Sequence, residues 1–269
     1  MSDPSGAASV LDLILARTRE RVGVASARRP LAEVRAAAAA AAPRRPFAEA
    51  LARPGRVNVI AEHKRRSPSR GAIREDLAPG DVVRRYEQAG AAALSVLTDQ
   101  EFFGGRLEHL AEARASAALP VLRKDFVVDA WQIWEARAGG ADAVLLIVAA
   151  LTDPELAKLL SVTREAGLVA LVEVHDRVEL LRALAAGSRI IGVNSRDLKT
   201  LTVSLDTAHG LAAEIPDEVV AVAESGIRTG ADIRRLRAAG YDAFLVGEHL
   251  MGAPDPGGAL RKLIEEASS

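Results

Sequence analysis

The chain has 269 residues, a length that suits two domains or one large α/β barrel. With 49% hydrophobic and 26% charged residues it can build a globular core. Its 35 Lys plus Arg against 36 Asp plus Glu leave a net charge of -1, too small a positive field to gather nucleic acid. Cysteine is absent, which excludes disulfides, thiolate zinc sites and a cysteine nucleophile, and the five histidines (His63, His109, His175, His209, His249) show no paired metal-binding spacing.

Residues 1–56 carry helical periodicity and no β-rich segment. Val10, Leu11, Ile14 and Leu15 share one helical face while Arg17, Arg19 and Glu20 turn outward. The alanine tract 36–42 extends as a helix until Pro43 stops it. This stretch is expected to be a helical extension packed over the bottom of the following barrel or over one flank of its mouth. The opening Met-Ser-Asp-Pro has no basic start, and Asp12 and Arg17 interrupt the nearby apolar residues, so it does not read as a secretory signal. The longest strongly apolar run, 144–151, is far short of the roughly 20 residues of a membrane span. The expectation is a cytoplasmic protein with neither membrane nor nucleic acid as partner.

From residue 57 the rhythm changes. Short aliphatic or β-branched runs at 57–64, 93–98, 120–124, 142–148, 168–174, 189–194, 218–224 and 242–247 alternate with charged helical stretches. Consecutive apolar residues, rather than alternating ones, suit parallel strands covered on both faces. Ala89-Gly90, Ala138-Gly139, Ala166-Gly167, Ala186-Gly187 and Ala239-Gly240 read as helix ends, with the glycine supplying the left-handed cap. Strand ends then recur at spacings of 21 to 34 residues. Neither G-x-G-x-x-G nor G-x-x-x-x-G-K-[ST] occurs, so the Rossmann and P-loop alternatives lack their phosphate signatures. The predicted fold is α/β, a single (β/α)8 TIM barrel over 57–269 with an N-terminal helical extension over 1–56.

Catalytic groups of such barrels project from the C-terminal strand ends. Here those ends carry Glu62 and Lys64, Lys124, Glu173, Asn194 and Arg196, and Glu224 and Ser225. Glu62 and Lys64 lie two apart and share a face; Lys124 and Asp125 point oppositely, and Lys124 is assigned to the interior. Ammonium and carboxylate groups side by side suit general acid–base chemistry. Gly226 and Gly247 after the last two strands open a place for backbone N–H groups near an anion, which favours a small phosphorylated substrate. The basic run 65–71 closes over the same anion or lies in solvent.

These residues carry a resemblance. The run Ile60-Ala61-Glu62-His63-Lys64-Arg65-Arg66-Ser67-Pro68-Ser69-Arg70-Gly71 is similar to the first-strand signature of the indole-3-glycerol phosphate synthase family. Leu94 to Thr98 with Phe103-Gly104-Gly105, Pro120 to Phe126, Leu171 to His175, Gly192 to Leu198 and Ala223 to Ile227 resemble its later strand ends in the same order. The resemblance implies ring closure of 1-(2-carboxyphenylamino)-1-deoxyribulose 5-phosphate with loss of carbon dioxide and water, without metal or organic cofactor. It implies Lys124 as the acid that protonates the developing alkoxide, and Glu173 with Lys64 as the second acid–base pair. Which lysine serves which step stays open, and Lys64 could also pair with the substrate carboxylate. Glu62, Asn194, Glu224 and Ser225 would orient and stabilise intermediates. Arg196 would contact substrate oxygens or phosphate, Ser67, Gly226, Gly247 and Glu248 would line the phosphate site, and Pro68, Phe103, Phe126 and Leu198 would form an apolar slot for the anthranilate ring. A monomer or a homodimer is allowed, as is association with other tryptophan-pathway enzymes.

Two histidines depart from the family pattern: His63 is expected to face the helix layer, and His249 to sit near the phosphate loop. An Amadori-type isomerase on the same barrel leaves Glu62, Lys64, Lys124 and Glu173 without a common task. A catalytically silent barrel would bind a phosphorylated metabolite without turnover.

Overall fold

A computed structural model describes residues 9–197 and 200–269. All eight apolar runs form strands: β1 (Asn58–His63), β2 (Ala93–Leu97), β3 (Val121–Lys124), β4 (Ala143–Ile147), β5 (Val169–Val174), β6 (Ile190–Asn194), β7 (Val220–Glu224) and β8 (Ala243–Val246). Each pairs in parallel with its sequence neighbours, and β8 pairs with β1 to close the barrel. The predicted (β/α)8 architecture is therefore present. Closure leaves none of these eight strands with a free edge, and the apolar runs are covered by side chains inside and by helices outside. Strand alternation sends Ile60, Leu122 and Leu145 inward and Leu94, Leu146 and Phe244 toward the helices, all of them buried.

Four of the five expected glycine caps take positive φ: Gly90, Gly167, Gly187 and Gly240. At Ala138-Gly139 the expectation is off by one residue. Gly139 keeps a right-handed φ of -75°, and Gly140 takes the turn at +91°. The run 65–71 is more ordered than a plain loop, because Arg66–Ser67 pairs antiparallel with Gly71–Ala72 in a small hairpin.

Three helices precede the barrel strands: α1 (Val10–Arg28), α2 (Leu31–Ala40) and α3 (Phe47–Leu51). A Ser9–Asp12 capping box starts α1. The extension covers both regions that the sequence left as alternatives. Val10, Leu11 and Ile14 of α1 reach the mouth beside Pro68, Phe103 and Phe126. The middle, α2, packs on the helix Ala130–Ala138, where Val22, Val34 and Trp131 form a small apolar cluster. At the bottom, Phe47 and Leu51 of α3 are fully buried, and Asn58 Nδ2 donates to the Leu51 carbonyl at 2.8 Å. Among the described residues no helix is long and apolar enough to cross a membrane.

Candidate active site

The inward positions of the strand ends bring the sequence-predicted lysines and carboxylates into one network. On β1, Lys64 Nζ lies 3.1 Å from Glu62 Oε1, as expected for residues two apart on one face. Ser95 of β2, level with Glu62 in the register, donates to Glu62 Oε2 at 3.3 Å. On β3, Lys124 Nζ donates to Glu173 Oε2 at 3.0 Å and stands 3.6 Å from Glu224 Oε2. Asp125 points the other way, to Arg123 Nη2 at 2.9 Å and Thr98 Oγ1 at 2.7 Å on the helix side. On β6, Asn194 Nδ2 donates to Glu173 Oε1 at 3.1 Å, while its own Oδ1 accepts from the Arg196 backbone N–H at 3.0 Å.

Three carboxylates, Glu62, Glu173 and Glu224, thus share two lysines. Burial opposes the charge on Lys124, but Glu173, Glu224 and Glu62 outweigh it and raise its pKa. Glu173 is driven the other way from Glu224. Against its burial, Lys124, His175 and Asn194 hold it well below the usual carboxylate range. Glu224 is pushed up to about 8 by burial, against Lys124, with Glu173 and Glu62 repelling its charge. Among the described residues, Glu224 Oε1 finds no hydrogen-bond partner. Two carboxylates driven apart in this way give the site an ionised base and a protonated acid at neutral pH.

Space is arranged around this network. A polar cavity of about 860 Å³ is lined by Glu62, Lys64, Arg196, Ser225, Gly226, Gly247, Glu248 and His249, together with Ser69 and Arg70. Beside it lies an apolar pocket of about 90 Å³ between Pro68, Phe103, Phe126 and the α1 residues Val10, Leu11 and Ile14. The Phe103 and Phe126 rings are 6.1 Å apart. Lys64, Ser69, Arg196, Leu201 and Glu248 border both spaces. Ser67 lines the apolar pocket rather than the polar cavity. Leu198 lies outside the described residues. Glu248 receives Arg196 Nη2 at 3.2 Å and Arg70 Nη1 at 3.5 Å, tying the hairpin loop to the mouth.

Two glycines shape the network in a way the sequence reading missed. A methyl added at Gly192 would run into Glu224 Oε1, and one at Gly247 into Glu62 Oε1. Both carboxylates lie across a bare backbone. Ser225 holds φ at +65°, a conformation that costs a non-glycine residue energy, and Gly226 follows at +80°. His63, as expected, faces the helix layer and packs edge-on against His109 at 6.0 Å. Burial, with His109 and Arg65 nearby, pushes it down to about 4, so it is uncharged at neutral pH. Val10, Leu11, Ile14, Ser95 and Gly192 also border the site without having been predicted as site residues. For Ser95 the sequence held no signal, because its pairing with Glu62 depends on the register between strands; for Gly192, an isolated glycine inside a strand run was available.

Comparison with known proteins decides the family. The model of the family described as "Indole-3-glycerol phosphate synthase" matches residues 11–263. The chain belongs to the indole-3-glycerol phosphate synthase family. It is 50% identical over 261 residues to the indole-3-glycerol phosphate synthase of Albidiferax ferrireducens, covering 96% of this chain and 99% of that protein. The homologue of the same name from a Polaromonas species is 49% identical, over 95% and 98% of the two chains. A solved thiamine phosphate pyrophosphorylase from Pyrococcus furiosus superposes with a TM-score of 0.57 at 18% identity, over 78% of this chain and 95% of that one, a likeness of fold alone.

Proposed function

We propose that this chain closes the indole ring of 1-(2-carboxyphenylamino)-1-deoxyribulose 5-phosphate, releasing carbon dioxide, water and indole-3-glycerol phosphate. The observation that carries the reading is the pair of adjoining spaces, one apolar and one polar, that share Lys64 at their border, with Glu62 and Lys64 lining the polar one and the Lys124–Glu173–Glu224 network buried on the neighbouring strand ends.

The carboxyphenyl ring enters the pocket of Pro68, Phe103 and Phe126, with α1 as its further wall, and the phosphate lies toward Ser225, Gly226 and Gly247 in the polar cavity. Ser67 stands beside Pro68 on the apolar side. The ring carbon that bears the carboxylate attacks the ketone carbon, and the new alkoxide takes a proton from the Lys124 ammonium. Carbon dioxide then leaves, and its bonding electrons restore the aromatic ring. In the dehydration step Lys64 protonates the departing hydroxyl while Glu173 removes the neighbouring carbon-bound proton, forming the double bond of indole. Glu62, itself bonded by Ser95, holds Lys64; Asn194 orients Glu173; protonated Glu224 hydrogen-bonds the oxygen of the intermediate. Arg196 and Glu248 border the phosphate end. No step calls for a metal or an organic cofactor, and the working form is a cytoplasmic monomer or homodimer.

The test is turnover of the carboxyphenylamino-deoxyribulose phosphate followed by indole fluorescence, with and without a chelator. Fluorescence growing at an undiminished rate in chelator is expected. Binding without fluorescence would replace the reading with that of a silent metabolite-binding barrel.

A further inference from the structure

Among the described residues, His175 is the one ionisable group touching Glu173 to which the reaction above gives no task. Strand alternation puts it there: Glu173 faces the interior, Val174 the helices, and His175 turns inward again just past the end of β5. Its Nε2 lies 3.3 Å from Glu173 Oε1, a charge contact whose N–H is not aligned as a hydrogen bond. The opposite ring nitrogen, Nδ1, is 2.9 Å from Glu179 Oε2. Glu179 is itself fixed in place. It sits in the first turn of the helix Arg177–Ala185, its backbone N–H bonds Asp176 Oδ1 at 2.8 Å, and its Oε2 also accepts the His175 backbone N–H at 2.8 Å.

We propose that His175, clamped between Glu173 and Glu179, is a positioning residue that keeps Glu173 oriented and charge-balanced as the base of the dehydration step. The argument rests on the reaction proposed above. Lys124 supplies the cation at Glu173 Oε2, but as the first acid it gives up its proton early in each cycle. The buried Glu173 carboxylate then needs a second cation that the chemistry does not discharge. His175 is placed to be that cation, on the oxygen Lys124 does not use. The charged groups facing it are Glu173 on its own strand and Glu179 on the following helix; Lys124 reaches only the far oxygen of Glu173. Burial works against the imidazolium, yet these two carboxylates push it up to about 10. It therefore stays charged through neutral pH.

The experiment combines NMR titration of the unliganded full chain with pH–rate profiles for the wild type, His175→Gln and Glu179→Gln. At pH 8, well above the ~6.5 of an ordinary histidine, both ring nitrogens of His175 are expected to be protonated in nitrogen-15 spectra. In carbon-13 carboxyl spectra the Glu173 midpoint is expected to rise in His175→Gln, and in the same direction but less in Glu179→Gln. The acid limb of kcat should move up with it, kcat falling about tenfold with KM little changed, against the roughly 10²–10⁴-fold of a group that transfers the proton itself. A neutral His175 ring at pH 8, or a Glu173 midpoint unmoved in both variants, overturns the proposal. If His175→Gln does not fold, Glu179→Gln decides by the same two readings. A wild type inactive on the substrate but with a shifting Glu173 midpoint refutes the reaction and keeps the clamp; an active wild type with unmoved midpoints does the reverse.

Discussion

The two ends of the barrel solve opposite problems. At the bottom, Asp142 uses both oxygens on structural partners: the Arg45 and Val121 backbone N–H groups at 2.6 and 2.8 Å, and the Arg114 guanidinium at 2.9 Å. Arg45 in turn spends its guanidinium on the Ala117 and Leu119 carbonyls at 2.7 and 2.8 Å, sealing the chain ahead of α3 against the strands. At the mouth, three carboxylates compete for two lysines, Glu224 Oε1 has no hydrogen-bond partner among the described residues, and Ser225 holds a strained φ. Saturated polar groups lock a structure. Unsaturated ones, held by the same rigid frame, are free to meet a substrate.

The largest effect that would break this contrast is at the mouth. Lys124→Ala is expected to abolish ring closure, a loss of at least ~10²–10⁴-fold in kcat, because the alkoxide loses its proton donor. The circular dichroism spectrum should be unchanged, since the side chain meets the network and not the core. A collapsed spectrum would mean that the mouth, too, is structural.

At the bottom the expected outcome is reversed. Asp142→Ala removes the carboxylate facing Arg114, which keeps the Gly140 and Pro43 carbonyls, and leaves two backbone N–H groups without their acceptor, so urea unfolding should show a loss of about 3–5 kcal/mol while kcat of the folded enzyme is preserved. A fall in kcat without a fall in stability would erase the division between the two ends.

The smallest change tests how tightly the mouth is shaped. Gly192→Ala forces Glu224 aside, with an expected drop in kcat of about 10- to 100-fold from misplacement of one group, and a modest stability cost of roughly 1–3 kcal/mol from crowding. Full activity in this variant would remove Glu224 from the proposed mechanism.

How much of this was readable beforehand differs by feature. The opposition of Lys124 and Asp125 and the shared face of Glu62 and Lys64 follow from a two-residue period, and the structure has both. The same rule applied one step further would have placed His175 beside Glu173. The cap at Gly140 rather than Gly139 was not readable, because two adjacent glycines serve equally well until packing fixes where the helix ends. Nor could the sequence choose between flank and bottom for the extension. That depended on where Arg21 finds Asp125, at 3.3 Å, and where Phe47 finds the base of the barrel.

By itself, then, the sequence determined the eight strands, their parallel burial and which residues stand at their C-terminal ends, since these depend on local periodicity and on the backbone geometry of each segment. The tertiary structure alone decided that Lys124 pairs with Glu173 and Glu224 while Lys64 pairs with Glu62, that α1 walls the apolar pocket, and that Gly192 and Gly247 leave room for carboxylates. Those choices depend on the register and tilt of strands that meet only when the barrel closes, and no property of one segment encodes the distance to another.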